Sequence, residues 1–278
     1  MTNITNDFTD IINLTNMAYD YFYNKNKTLC YTVSPMDIDN VKSIKNIKCV
    51  LDNVNPSKFI NSVFNDRINF LHKKMTSYGY KYTLKRLSDP SVDIVMSLYN
   101  DNIDNLYDPI NLNKAFHKLF SDFITHGQTE NIRLQIVNVD IPLSELADFL
   151  QVIPQLKELA TDENADKIVS ITLYEHFFKM RTMDEYLTKD VLDNYGKEHY
   201  RGLIFQVAHV LATITNKYVG FRHNKLALKY MDGYIHRSSG NLTFSFGGKN
   251  YVMSNPGFIY KMSNFDDATI LDVFENDN

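Results

Sequence analysis

The segment KEHYRGLIFQVAHVLATITNKYV constrains the fold of this chain more than any other. Its apolar residues Leu203, Val207, Val210, Leu211, Ile214 and Tyr218 recur at steps of 4, 3, 1, 3 and 4. That spacing is the stripe by which a helix buries one side against a core. Gly220 follows, a residue type that ends helices because it takes the left-handed conformation at no steric cost. A compatible fold therefore places a long helix in its interior and turns sharply after it.

The chain has the apolar material for such a core. It holds 278 residues, 44% of them hydrophobic, so one large domain or two average ones are expected, and neither disorder nor a small disulfide-stapled scaffold. Lys and Arg number 29 against 33 Asp and Glu, for a net charge of -4. This balance argues against a chain whose main task is coating nucleic acid or an anionic membrane. Cys30 and Cys49 lack CxxC spacing and paired histidines, so reduced thiols are expected rather than a zinc site. The histidines show no HxxxH or HExxH spacing, and no Walker loop, GxGxxG or GxSxG occurs. No apolar run of about 18 residues is present, and the first residues lack a basic segment followed by an apolar one. Membrane insertion and secretion are not expected. Trp is absent and Asn and Lys abound, a bias of A/T-rich codons that speaks to origin only.

Before the long helix the pattern is mixed. Segment 7–23 has helical spacing, 30–52 contains two short strand-like runs, and 56–75 returns to helix with Phe59, Val63, Phe64, Ile68 and Leu71 on one face. SYGYKY and LSDPS read as breaks. A helix at 111–124 carries Ala115, Phe116, Leu119, Phe120 and Phe123, bracketed by Pro109 and Gly127. The expected organisation is a mixed, mainly helical region over 1–110 and a second unit over 111–278. That unit opens with a strand at 132–141, a helical stretch capped at Ser144 and broken at Pro154, and a buried strand at 167–178. A short helix at 182–195 has Thr182 and Glu185 in capping-box spacing.

After Gly220 come GFRHN at 220–224, a hairpin, NPGFIYKM at 255–262 and NFD at 264–266. In wording and order this resembles the catalytic core of protein kinases, most closely the divergent serine/threonine kinase-like proteins of large DNA viruses. The resemblance covers roughly 165–270. It implies an α+β fold: a truncated protein-kinase-like core with a hinge strand, a core helix, a degenerate catalytic loop and a DFG-like turn, preceded by the mainly helical N-terminal region. The resemblance also implies that Asp267–Asn278, following NFD, leave no room for the family's activation segment and later helix.

Phosphoryl transfer needs an Asp to take the substrate proton, an Asn and an Asp to hold magnesium, and a strand Lys for the phosphates. Aligned on HRDxxxxN, His223 keeps the His and Asn224 follows it. Lys225 takes the place of the catalytic Asp, and Tyr230 that of the metal-binding Asn. In the turn, Asn264 replaces the metal Asp, Phe265 is kept and Asp266 stands where glycine would be. The glycine-rich loop is expected near 125–135, where only Gly127 is found, and the strand Lys near Val137 or Asn138. Glu145 or Glu158 would be the helix carboxylate that such a Lys pairs with. An ammonium in place of the base accepts no proton near neutral pH.

His223 and Asn224 are therefore read as structural, Phe265 as core, and Asp232, Asp266 and Asp267 as solvated carboxylates more readily than as a cation site. The expected function is that of a catalytically inactive kinase-like viral protein, a pseudokinase acting as scaffold, structural or regulatory component. No cofactor is expected. Other viral proteins, or an active kinase relative, would be its partners, in the host cytoplasm at the virus factory or in the virion. Two alternatives of other classes stand beside it. One is an atypical ATP-binding phosphotransferase using Asp232, Asp266 or Asp267 for metal. The other is a nucleic-acid-binding accessory factor using the Lys–Tyr stretch at 73–86, which reads more simply as a half-buried strand.

Overall fold

The computed structural model describes residues 68–271 apart from 77–78, 87–91, 100–102, 104, 106–107, 126–127, 177–179, 189–196 and 237–239. The segments expected at 7–23 and 30–52, with Cys30 and Cys49, lie outside the described residues. So do the first part of 56–75 and most of the helix expected at 182–195.

Alternation of apolar and polar residues builds the first layer. Strands β1 (Ile68–Thr76), β2 (Gly79–Arg86), β3 (Val92–Leu98), β4 (Gln135–Pro142) and β5 (Ile168–Glu175) form one antiparallel sheet in the order β1-β2-β3-β5-β4. Register aligns Leu84, Ile94 and Leu173 in one row, and Tyr82, Met96, Ile171 and Val139 in another. Because side chains alternate with period two, these rows share a face. That face is buried under Leu146, Leu150, Ile153, Leu156 and Leu159, which come from the β4–β5 connection. The connection folds as a 3-10 turn at Leu143–Leu146, helix α2 (Ala147–Val152) and a second 3-10 stretch at Pro154–Leu159.

The opposite face is polar. Lys81, Ser97, Ser170 and Asp140 form one row on it, and Asp93 lies beside Tyr174 in another. Helix α1 (Pro109–Thr125), inserted between β3 and β4, covers this side. Asp108 starts the helix by accepting the Ile110 amide at 2.8 Å, with Pro109 at the first helical position. Lys114 of α1 then pairs with Asp140 of β4 at 2.7 Å.

The second layer contains β6 (Arg181–Thr182), α3 (Met183–Tyr186), α4 (Lys197–Lys217), β7 (Asp232–Ile235), the hairpin β8 (Asn241–Phe246) and β9 (Lys249–Ser254), and β10 (Phe258–Lys261). Its three-stranded sheet runs β10-β7-β6. Helix α4 is the periodic segment. Leu203, Val210, Ile214 and Tyr218 are buried with Phe116, Phe120 and Phe123 of α1 and Phe258–Tyr260 of β10, while Val207 and Leu211 are partly buried. Gly202 permits the contact, since a Cβ there would lie 2.5 Å from the Pro256 Cβ. Gln206 is wholly buried on α4 and fully used: its oxygen accepts the Tyr260 amide at 2.7 Å and the Asn131 side chain at 2.9 Å. Buried polar groups in folded proteins are as a rule paired in this way.

The molecule is thus an α+β protein with antiparallel sheets and a few helices. The expected helices at 111–124 and after 197, and the strands near 132–141 and 167–178, are present. Other expectations need correction. A mainly helical region over 1–110 does not describe 68–98, which is three strands. The helix expected to 75 gives way to β1, and Leu71, placed on its apolar face, is 45% exposed. One sheet joins strands from both sides of residue 110, so α1 lies within a unit. Ser144 caps no helix: the residue preceding the 3-10 turn is Pro142, with no side-chain cap. Thr182 precedes α3 without a side-chain cap as well.

Candidate functional site

The loop after α4 and the turn after β10 meet beneath α1. Phe265 is wholly buried there. Its ring centroid lies 4.7 Å from that of His117, 5.1 Å from that of Phe120 and 5.1 Å from that of His223. His223, 3% exposed, approaches the Ser263 carbonyl with Nε2 at 2.9 Å, while its Nδ1 accepts the Lys225 amide at 3.3 Å. These two bonds together require a neutral ring with the proton on Nε2. Burial holds His223 below its ordinary pKa, with the Ser263 hydrogen bond opposing, and holds His117 well below its own, reinforced by the Arg133 charge.

Asn224 and Asn264 both take left-handed backbone, at φ 60 and 62. Asn is the residue type, after glycine, that tolerates this best. Their amides repay it: Asn224 Nδ2 donates to the Asp267 carbonyl at 2.9 Å, and Asn264 Nδ2 to the Tyr230 carbonyl at 2.8 Å. Arg222 and Thr269 exchange backbone bonds at 2.9 Å each, so loop and turn are fastened at both ends.

Lys225 faces two carboxylates. Its Nζ lies 2.9 Å from Asp266 Oδ2 and 2.7 Å from Asp267 Oδ2. Partial burial pulls its pKa down, and hydrogen bonds to Asp266 and Asp267 outweigh that and hold it above the ordinary lysine value. Tyr230 is half-buried, with Lys229 Nζ 4.8 Å from its ring centroid. All seven residues singled out from the sequence, His223, Asn224, Lys225, Tyr230, Asn264, Phe265 and Asp266, therefore belong to one loop–turn assembly. Asp232 has other partners than the Lys225 pair: it is 3.2 Å from an Arg133 nitrogen and accepts Ser263 Oγ at 2.7 Å. Among the described residues no cluster of three or more His, Cys, Asp or Glu could hold a metal ion.

Several residues of this site were not legible in the sequence. Asn113 and His117, one turn apart on α1, face the turn: Asn113 Oδ1 accepts the Phe265 amide at 2.9 Å, and its Nδ2 donates to the Tyr174 hydroxyl at 3.1 Å. Lys81 of β2 reaches within 3.5 Å of Asn264 Oδ1. The signal was present in YGYKYTLKR, where period two sets Lys81 opposite the buried Tyr82. The places expected for a phosphate lysine, Val137 or Asn138, fall instead on an edge strand beyond α1, where Asn138 bonds Ser170 and Thr172. Glu145 lies in the 3-10 turn, and Glu158 binds Lys73 and Tyr82 on the outer face of the sheet. Neither lies on α1.

No family model matches the chain. It is similar to a protein of a large DNA virus: uncharacterized protein R402 of Acanthamoeba polyphaga mimivirus, at 24% identity over 176 residues. The match takes in 63% of this chain and spans about a fifth, 21%, of that protein's length. Among the described residues no helix is long and apolar enough to cross a membrane.

Proposed function

We propose that this chain is a non-catalytic protein-kinase-like protein of a large DNA virus, working by binding as a scaffold, structural or regulatory component. Support comes first from the order of parts. A sheet with a helix inserted between its third and fourth strands leads into a long buried helix, then the His223 loop, then the Phe265 turn. In a kinase the corresponding parts are the strand that carries the phosphate lysine, the helix that carries its glutamate, the catalytic loop and the metal turn. On this reading the kinase-like unit begins at β1, and Asn113 stands on α1 in the role of the helix carboxylate.

The observation that carries the reading is the Lys225 clamp. The group in the place of the catalytic base is an ammonium held by Asp266 and Asp267. It has no lone pair to take a hydroxyl proton, and it occupies the nearest carboxylates that would otherwise attract magnesium. Asn264 spends its amide on the Tyr230 carbonyl. The parts that fix the fold are kept while those that handle charge are neutralised against one another. Its partners on this reading are other viral proteins or an active kinase relative, at the virus factory in the host cytoplasm or in the particle.

A second reading, an atypical nucleotide-binding phosphotransferase, is favoured by one observation, the approach of Lys81 to Asn264. Transfer of labelled phosphate from ATP with magnesium or manganese separates the two. The proposal predicts no labelled acceptor, the chain itself included. Label that appears, and disappears in Asp266→Ala, contradicts it.

A further inference from the structure

The boundary between the two sheets holds several buried charges. Arg133, in the segment leading into β4, has a side chain only 12% exposed. Its guanidinium donates to Asp93 on β3 and to Asp232 at the start of β7, the latter at 3.2 Å, and lies 4.9 Å from the ring centroid of Tyr174. His176 Nδ1 stands 3.0 Å from the other Asp93 oxygen. Beside this cluster Lys261 of β10 and Glu175 of β5, both wholly buried, pair at 2.9 Å. Two separate charge links thus join the five-stranded sheet to the three-stranded one. Buried ion pairs recover little beyond their own desolvation, and apolar residues of the same volume stabilise as well or better. What ions add beyond apolar packing is a set of directed contacts between named groups on the two layers.

We propose that Arg133 is a latch that closes the cleft between the two layers and bars nucleotide from it. The inference rests on the kinase-like reading, in which a nucleotide lies between the sheet and the catalytic loop with its metal turn. Asp93 sits on the middle strand of that sheet. Asp232 follows two residues after Tyr230, and its carboxylate is bonded to Ser263, the neighbour of Asn264. The bridge Asp93–Arg133–Asp232 therefore spans the gap a nucleotide would enter. A purine placed there would displace the guanidinium from both carboxylates and part three buried charges from the ions that neutralise them. The protein then offers its partners one closed shape, independent of nucleotide.

Titration of the full chain with mant-ATP, with and without magnesium, reads the latch. The native protein is expected to show no saturable fluorescence change. The triple variant Asp93→Ala, Arg133→Val, Asp232→Leu removes the ions together and should bind at least about tenfold more tightly than the native chain. Arg133→Lys, which keeps the charge, should behave as the native protein does. Saturable native binding overturns the latch whether or not the triple variant folds. A triple variant that melts cooperatively with native circular dichroism and still takes up no nucleotide overturns it too, as does binding by Arg133→Lys equal to that of the triple variant. Phosphate transfer is scored separately: nucleotide binding by the native chain without transfer sinks the latch alone, and transfer sinks the non-catalytic reading.

Discussion

The imidazole of His117 meets the ring of Phe265 edge-on, with centroids 4.7 Å apart and planes at 73°. This contact ties α1, and through it the five-stranded sheet, to the turn after β10. His223 also meets Phe265, with centroids 5.1 Å apart, so three rings from three separated stretches of sequence form one cluster. Phe265 is the ring common to both contacts.

Phe265→Ala should therefore act as a large-to-small core substitution with little room to collapse. The expected cost is about 3–5 kcal/mol, read as a fall in the urea midpoint with unchanged slope. A cost below about 1 kcal/mol would show that the two layers hold together without the cluster.

The cluster also sets a pH dependence. Burial keeps His117 and His223 below their ordinary pKa in the folded protein, while both titrate near about 6.5 once unfolded. Below that pH the unfolded chain binds more protons, so the stability present above about 6.5 is lost as pH falls toward the folded values. Urea midpoints should be level between about pH 7 and 8 and should drop from about 6.5 downward, before carboxylates begin to titrate. His117→Leu should make that drop shallower. A midpoint that stays level down to about pH 5.5 would contradict the neutral, buried rings.

How much of this was legible in the sequence follows the range of the interactions. Helix α4 was legible because its partners are one another's neighbours at helical spacing. The loop and turn were legible because GFRHN and NPGFIYKMSNFD are contiguous strings. Strands β1–β3 were not: Ile68 and Leu71 fit a helical spacing with the residues before them, and it is the pairing of Ile68–Thr76 with Gly79–Arg86 that decides for a strand there. Arg133 was invisible for a simpler reason, since its two acceptors lie 40 and 99 residues away.

Arg133→Met by itself should be more damaging than removing the whole cluster. The single change takes from Asp93 and Asp232 the buried cation they share, at an expected cost of about 3–5 kcal/mol, whereas apolar replacement of all three ions should cost far less or nothing. Denaturant titration of the single and triple variants checks the order. A triple variant less stable than the single one would show that the ions contribute net stability.

Asn113 carries a narrower load. Asn113→Ala leaves the buried Phe265 amide without its acceptor and should cost about 1–3 kcal/mol. Asn113→Asp keeps an acceptor at that place and should lose less on thermal melting. Equal losses would mean that the hydrogen bond to Phe265 contributes nothing to the fold.

The central claim is that Lys225 is a structural cation held by Asp266 and Asp267. Titration of its side-chain nitrogen by NMR in selectively labelled protein, assigned by comparison with Lys225→Arg, tests it most directly. The account predicts that the ammonium persists to a pH above the ordinary lysine value of about 10.4, and loses that shift when Asp266 and Asp267 are both changed to Asn. A Lys225 that titrates below its ordinary value, with free amine present near neutral pH, would give the loop a proton acceptor and contradict the account.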